Sequence, residues 1–293
     1  MSWILFSILA AVCWSVVNVV DKYILTKWVK EPIVPVMILG FVGLMSSFII
    51  FFINGFVQLS YYHILLAIIG GVFYMFMNIL YFKAVKIEEI SRVIPLFYLT
   101  PLFVLVLATI FLKEIFTPIK YMGIILLVIG AILISMKKFQ ISFGKAFWFM
   151  IIASFSLSIY SVLIKYLLNF ADFWTIFAYL RIGVFIALIP FLYSNFRHLI
   201  STVRENGIKV VFIIGFNESL NLFAVLLFTL ASSIGFVTLV NAIASVQPFF
   251  VLLFAVIFSI FYPQTLKEEI NKSTMFIKLT AIVLIFIGSL LII

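Results

Sequence analysis

The chain has 293 residues, 66% of them hydrophobic and only 10% charged, with a net charge of +9. Soluble domains carry about 45–50% apolar and about 25% charged residues, so the composition excludes a soluble fold and identifies a polytopic membrane protein. The lone Cys13 excludes an internal disulfide, and the basic residues fall between apolar runs, which points to orientation in a bilayer and not to a groove for nucleic acid.

A helix needs about 20 apolar residues to cross a bilayer. Ten such segments follow one another at 3–25, 33–53, 62–82, 90–112, 119–136, 146–168, 173–194, 208–230, 234–262 and 275–293. The expected fold is therefore an all-α integral membrane protein of ten transmembrane helices, with links too short for a soluble domain. Trp28, Tyr61, Tyr62, Trp148, Trp174 and Tyr262 fall near segment ends, where amphipathic rings favour the interface. The chain opens MSWILF with no Lys or Arg before Lys22, which argues against a cleavable signal peptide.

In the first segment Trp14, Asn18 and Asp21 share one helical face, by spacings of four and three. Trp14 lies near mid-depth and suits stacking on a flat substrate. Asp21 lies near the end and is expected to pair with the lysines around it. Asn78 and Tyr81 are the polar candidates of the third segment, with Tyr74 and Tyr98 as further aromatic lining. The fourth carries Pro95 and Pro101. In the sixth, Ser154, Ser158, Ser161 and Lys165 form a stripe of the kind that packs helices closely.

The seventh and eighth segments hold the costliest residues. Arg181 is the one Arg or Lys well inside a segment, and Glu218, within GFNESLNLF, is the one acid near a segment centre. An ionisable group there costs about 2.5–3.5 kcal/mol on insertion scales. Asn217, Glu218 and Asn221 share a face, which must look at protein or water. Arg181 and Glu218 sit at similar depth on consecutive helices. They form either a structural ion pair or a binding site, with Arg181 attracting an anionic group and Glu218 taking up a proton. In the ninth segment Asn241 and Gln247 sit beside Pro248, on its N-terminal side, and the missing N–H of Pro248 frees a backbone carbonyl.

The halves repeat each other. Lys22-Tyr23 aligns with Lys165-Tyr166, placing Ser15 on Ser158. Pro101 aligns with Pro248 without a gap, placing FVLVLATIF (103–111) on FVLLFAVIF (250–258). IGAILI (129–134) aligns with IGSLLI (287–292) after a longer link around TLKEE. Two five-helix repeats result, 1–138 and 143–293. Five is odd, so the second repeat enters the membrane from the opposite side, which is an inverted-topology plan common among transporters.

YFKAVKIEEISRVIPLFYLTPLFVLVLATIFLKE (81–114) and YMGIILLVIGAILI (121–134) resemble the drug/metabolite transporter superfamily, specifically its EamA-like branch. The features are an aromatic-aromatic-x-Ala end to the third helix, a mid-span Pro and terminal Glu in the fourth, and a Gly-containing fifth. The resemblance implies a cavity lined by the first, third, fourth, sixth, eighth and ninth helices, with the fifth and tenth at the periphery. The linker NGFVQLSYYH (54–63) departs from the family in lacking Lys and Arg.

The sequence thus reads as a secondary transporter of small metabolites in a plasma (cell) membrane, proton-coupled or exchanging. Trp14, Asn18, Asn78, Tyr81, Arg181, Asn217, Glu218, Asn221, Asn241 and Gln247 are its candidate substrate contacts, and Glu218 is its candidate coupling residue. A flippase for an amphipathic or lipid-linked substrate is the first alternative, and a non-transporting scaffold the second. No HExxH, Walker, CxxC or Gly-rich nucleotide motif is present, so neither an enzyme nor a cofactor or metal is expected. The partners expected are a small-molecule substrate and the lipid bilayer. Fifteen of the 19 Lys and Arg fall on alternate links or the adjoining segment ends, which places both termini outside, against the inside termini that the resemblance implies.

Overall fold

A computed structural model describes residues 3–55, 57–87, 96–135, 144–251, 253–254 and 272–292. The described residues are helical almost throughout. The helices are α1 (Trp3–Lys27), α2 (Ile33–Asn54), α3 (Tyr61–Ile87), α4 (Thr100–Phe111) and α5 (Pro118–Ser135) in the first half. In the second they are α6 (Lys145–Leu167), α7 (Phe173–Asn206), α8 (Ile208–Ile234), α9 (Val237–Ala244) and α10 (Lys272–Ile292). Six of them, α1, α2, α3, α6, α7 and α8, are long and apolar enough to cross a membrane, and the chain is a multi-pass integral membrane protein. Pro95 and the TLKEE link lie outside the described residues.

Several boundaries differ from the sequence reading, among them the ends of α3 (Ile87 against 82) and α8 (Ile234 against 230). The helix α7 runs on to Asn206, past the expected end at 194, because helical hydrogen bonding continues after the apolar stretch has ended. It stops where Gly207 adopts a φ of 78°, a left-handed conformation that glycine enters without a Cβ clash. The expected ninth helix from 234 starts instead at Val237, after α8 ends against an extended Gly235.

Helix packing is symmetric when α1–α5 are paired in order with α6–α10. The helix α1 packs on α8, and its counterpart α6 packs on α3. Likewise α2–α8 corresponds to α7–α3, and α9–α1 to α4–α6, while α2–α7 and α5–α10 join counterparts directly. Small residues set the closest crossings. A Cβ on Gly71 of α3 would lie 2.4 Å from the Val184 nitrogen of α7, so only glycine permits that approach. Where α5 meets α10, Gly123 faces Gly288 and Gly130 faces Ala281. As the number rises by seven on one helix it falls by seven on the other, so these two counterparts run antiparallel.

Polar ties gather at two ends. Lys30 pairs with Glu205 at 2.7 Å, Lys86 with Glu31 at 3.6 Å, and the Asn206 amide donates to the Trp28 carbonyl at 3.2 Å. These join the α1–α2 link, the C-terminus of α3 and the α7–α8 link. At the other end Lys165 Nζ donates to the carbonyls of Ser232 (2.8 Å) and Gly235 (2.7 Å). There Glu114 accepts from the N–H groups of Val237 (2.9 Å) and Thr238 (3.1 Å), capping the N-terminus of α9.

Candidate functional site

The site begins with two interrupted helices. Residues 96–97 are helical, 98–99 form a turn, and α4 then starts with Pro101 within its first turn. In the second half α9 ends at Ala244, 245–246 form a turn, and the helix resumes at Gln247 with Pro248. Under the alignment of Pro101 with Pro248, the two turns occupy corresponding positions. Proline explains both, since it supplies no N–H to the preceding turn and suits the first turn of a new helix. Carbonyls left by a break at membrane depth need donors. Ser154 Oγ of α6 donates to the Leu96 carbonyl at 2.8 Å, and Ser15 Oγ of α1 donates to the Gln247 carbonyl at 3.1 Å. Each break is thus braced by a serine from the first helix of the other half.

A cavity of about 140 Å³ opens beside the breaks. Its walls are Trp14, Val17, Asn18 and Asp21 of α1; Tyr74, Met77, Asn78 and Tyr81 of α3; and Leu157, Tyr160 and Ser161 of α6. Asn221, Val225 and Phe228 of α8 and Asn241 and Ala244 of α9 complete them, with Phe97, Tyr98, Thr100, Pro101, Ser245 and Gln247 from around the breaks. These are the elements that the family resemblance implied, and α5 and α10 stay at the periphery. Two wall hydroxyls, Tyr81 Oη and Thr100 Oγ1, are buried with no hydrogen-bond partner among the described residues.

Behind the α1/α8 wall runs a polar chain. Trp14 Nε1 donates to Asn221 Oδ1 at 3.1 Å, and Asn221 Nδ2 donates to Glu218 Oε2 at 3.0 Å. One turn away, Asn217 Nδ2 donates to Asp21 Oδ1 at 2.7 Å. Asp21 and Glu218 are both buried, and neither forms an ion pair among the described residues. Asp21 therefore does not pair with nearby lysines as the sequence suggested. The antiparallel packing of α1 on α8 carries it inward to Asn217, while Lys22 lines a separate opening with Lys27 and Lys86.

Arg181 is placed differently from its expected partner. It is buried on α7, donates to the Tyr160 hydroxyl, and lies over the Tyr74 ring at 4.6 Å and the Phe177 ring at 5.4 Å. No ion pair joins it to Glu218 among the described residues: its guanidinium lies against Tyr74 of α3 and Tyr160 of α6, while Glu218 accepts from Asn221 of its own helix. Arg181 is also absent from the cavity wall, where Tyr74 and Tyr160 stand instead. Of the other candidates, Trp14, Asn18, Asn78, Tyr81, Asn221, Asn241 and Gln247 line the cavity, whereas Asn217 and Glu218 lie behind it. Asn78 Nδ2 is tied to the Tyr74 carbonyl at 2.8 Å and Asn241 Nδ2 to the Val237 carbonyl at 2.9 Å, which uses one N–H of each and leaves a second N–H and the side-chain oxygen. In the serine stripe, Ser158 and Ser161 bond within their own helix, and Ser161 also meets the cavity. The sequence reading passed over Tyr160, although it lies one position before Ser161 on the polar stripe.

Comparison with known proteins adds three findings. Residues 1–136 match the model of the EamA-like transporter family, which bears out the resemblance over the first half of the chain. No curated protein matches the sequence. Among solved structures, a crystal structure matches with a TM-score of 0.64 at 15% identity, covering 98% of this chain and 95% of that one. At that identity the likeness shows the fold alone.

Proposed function

We propose that this chain, whose first 136 residues match the EamA-like transporter family, is a secondary transporter of small metabolites working by alternating access between two inverted five-helix repeats. The observation that carries this reading is the cavity at two helix breaks in corresponding positions, lined from both halves. Transporters place substrate at the junction of inverted repeats, where discontinuous helices expose backbone to a cavity. The antiparallel contact of α5 with α10 and the paired packing of α1–α8 and α6–α3 support the inversion. A scaffold has no need of a polar cavity braced by serines.

Trp14, Asn18, Asn78, Tyr81, Asn221, Asn241 and Gln247 contact the substrate in this reading. Glu218 sits one hydrogen bond behind the wall, on Asn221, and serves as the coupling group. Purified protein in sealed vesicles should exchange a labelled solute against its unlabelled pool, and screening amino acids, amines, sugars and sugar phosphates tests the class. No exchange of any of them by correctly folded protein would sink the reading. Glu218→Gln keeps the shape and the bond to Asn221 but cannot take up a proton. That variant should still exchange substrate while losing the pH dependence of net uptake, and an unchanged pH profile would remove Glu218 as the coupling site.

A further inference from the structure

We propose that the cavity takes a monovalent organic cation, a protonated amine on a flat apolar body, with Asp21 as its counter-ion. The inference rests on the transport reading above and names its substrate class.

The charge of the wall comes first. Among the described residues, Asp21 is the one carboxylic acid that lines the cavity, and no Lys, Arg or His does. Its Oδ1 accepts from Asn217, and a carboxylate has further acceptor sites. Glu218 stands on the neighbouring helix behind Asn221, adding a second acid. Among the described residues, the buried base nearby is Arg181, which is enclosed by Tyr74, Tyr160 and Phe177 on the far side of the tyrosine wall. A carboxylate, phosphate or sulfate entering the cavity therefore meets an acid and no cation among the described residues. An ammonium meets a carboxylate oxygen with spare accepting capacity, and charge-assisted hydrogen bonds are the strong ones in a water-poor site.

The rest of the wall fits the body of such a ligand. Trp14, Tyr81, Phe97 and Phe228 supply aromatic faces, which attract cations through their quadrupoles and stack on flat groups. Asn78 and Asn241 each commit one of their two amide N–H groups to a carbonyl of their own helix, and their oxygens can accept from the remaining ammonium hydrogens. Tyr81 Oη and Thr100 Oγ1, buried and unpartnered among the described residues, are further oxygens at this wall. With the Asp21 carboxylate, these oxygens give the wall several acceptors for the hydrogens of an ammonium. With a volume of about 140 Å³, the cavity suits a single-ring compound.

The test uses four probes that share one ring and differ in the charge of the polar group: phenethylamine, phenethyl alcohol, phenylacetate and phenylalanine. Binding to the purified full chain is measured at neutral pH, and exchange of the same compounds in vesicles is measured beside it. Phenethylamine should bind roughly ten-fold or more tighter than the alcohol, the worth of one charged hydrogen bond. Asp21→Asn should bring the amine and the alcohol to within about two-fold of each other, and Tyr81→Phe should weaken the amine with the preference retained. Tightest binding of phenylalanine or phenylacetate overturns the cation assignment and brings Arg181 into the site, while leaving the transport reading standing. Equal binding of the amine and the alcohol by the native chain overturns the assignment without recourse to any variant. Tight amine binding with no exchange keeps the cation site and sinks the transport reading. Binding of none of the four, with exchange of a sugar, overturns the assignment alone.

Discussion

Arg181 shows how much depends on what surrounds a charge. Its planar guanidinium lies over Tyr74 and donates to Tyr160, so its stabilisation comes from ring faces and a hydroxyl. Unfolding in mixed micelles checks this assignment by double-mutant cycles. Arg181→Met with Tyr160→Phe should show a coupling of about 0.5–3 kcal/mol, as contacting residues do. Arg181→Met with Glu218→Gln should be closer to additive, and the larger coupling falling on Glu218 would overturn the assignment. In the sequence both residues stood out equally as charges in oil. Their depth was legible, but the azimuth of each helix was not, and azimuth decides which charge meets which partner.

Glycines and a cap make the predictions for helices. Gly71 lets α3 touch the backbone of α7, and a Cβ there would lie 2.5 Å from the Gly183 carbonyl carbon. Backbone cannot rotate away, so Gly71→Ala should destabilise by about 1–3 kcal/mol or more, as overpacking does. Gly215 of α8 has nothing within 4 Å, and Gly215→Ala should be neutral or stabilising by up to about 1 kcal/mol. Thermal melts of the two variants in one detergent make the comparison, and equal effects would refute it. Asp172 caps α7, accepting from the N–H groups of Trp174 (2.9 Å) and Thr175 (3.1 Å). Burial pushes its carboxyl up, but the Thr175 hydroxyl and these N–H groups outweigh that and hold it below the usual carboxylate value. Asp172→Ala should cost about 0.5–2 kcal/mol. A depressed folded value means that this stability is present above the unfolded value of about 3.9 and fades as pH falls through the folded one. The gap in melting temperature between Asp172→Ala and the native chain should therefore be full at neutral pH and narrow below about pH 4. A gap independent of pH would assign the cap to shape and not to charge.

Orientation belongs to the whole molecule. Most Lys and Arg fall on alternate links, and the structure gathers several of them at one end through Lys30–Glu205 and Lys86–Glu31. Glu114 and Lys165 clamp the opposite end. Positive residues stay cytoplasmic, so the Lys30 end should face the cytoplasm and both termini should lie outside. With Cys13 replaced, a cysteine at Lys30 should react with an impermeant maleimide only after the membrane is opened, and one at Phe170 should react in intact cells. The reverse pattern would give the inside termini that the family resemblance implies. The same alternation of ends is what two five-helix repeats in opposite senses require.

Composition and apolar periodicity sufficed for a helical membrane protein, because the bilayer itself dictates helix length and leaves the backbone no other partner. Aligning Pro101 with Pro248 made the breaks legible as well, since proline acts on its own backbone wherever it stands. The lengths of α7 and α9 were less legible, because hydrogen bonding, capping and turns set them apart from hydropathy. Only the tertiary structure decided that Asp21 turns inward to Asn217, that Arg181 is enclosed by aromatic rings, and that Glu218 stands behind Asn221. Each depends on the rotation and approach of two helices remote in sequence. Close glycine contacts and side-chain packing fix those quantities, and no periodicity within a single helix contains them.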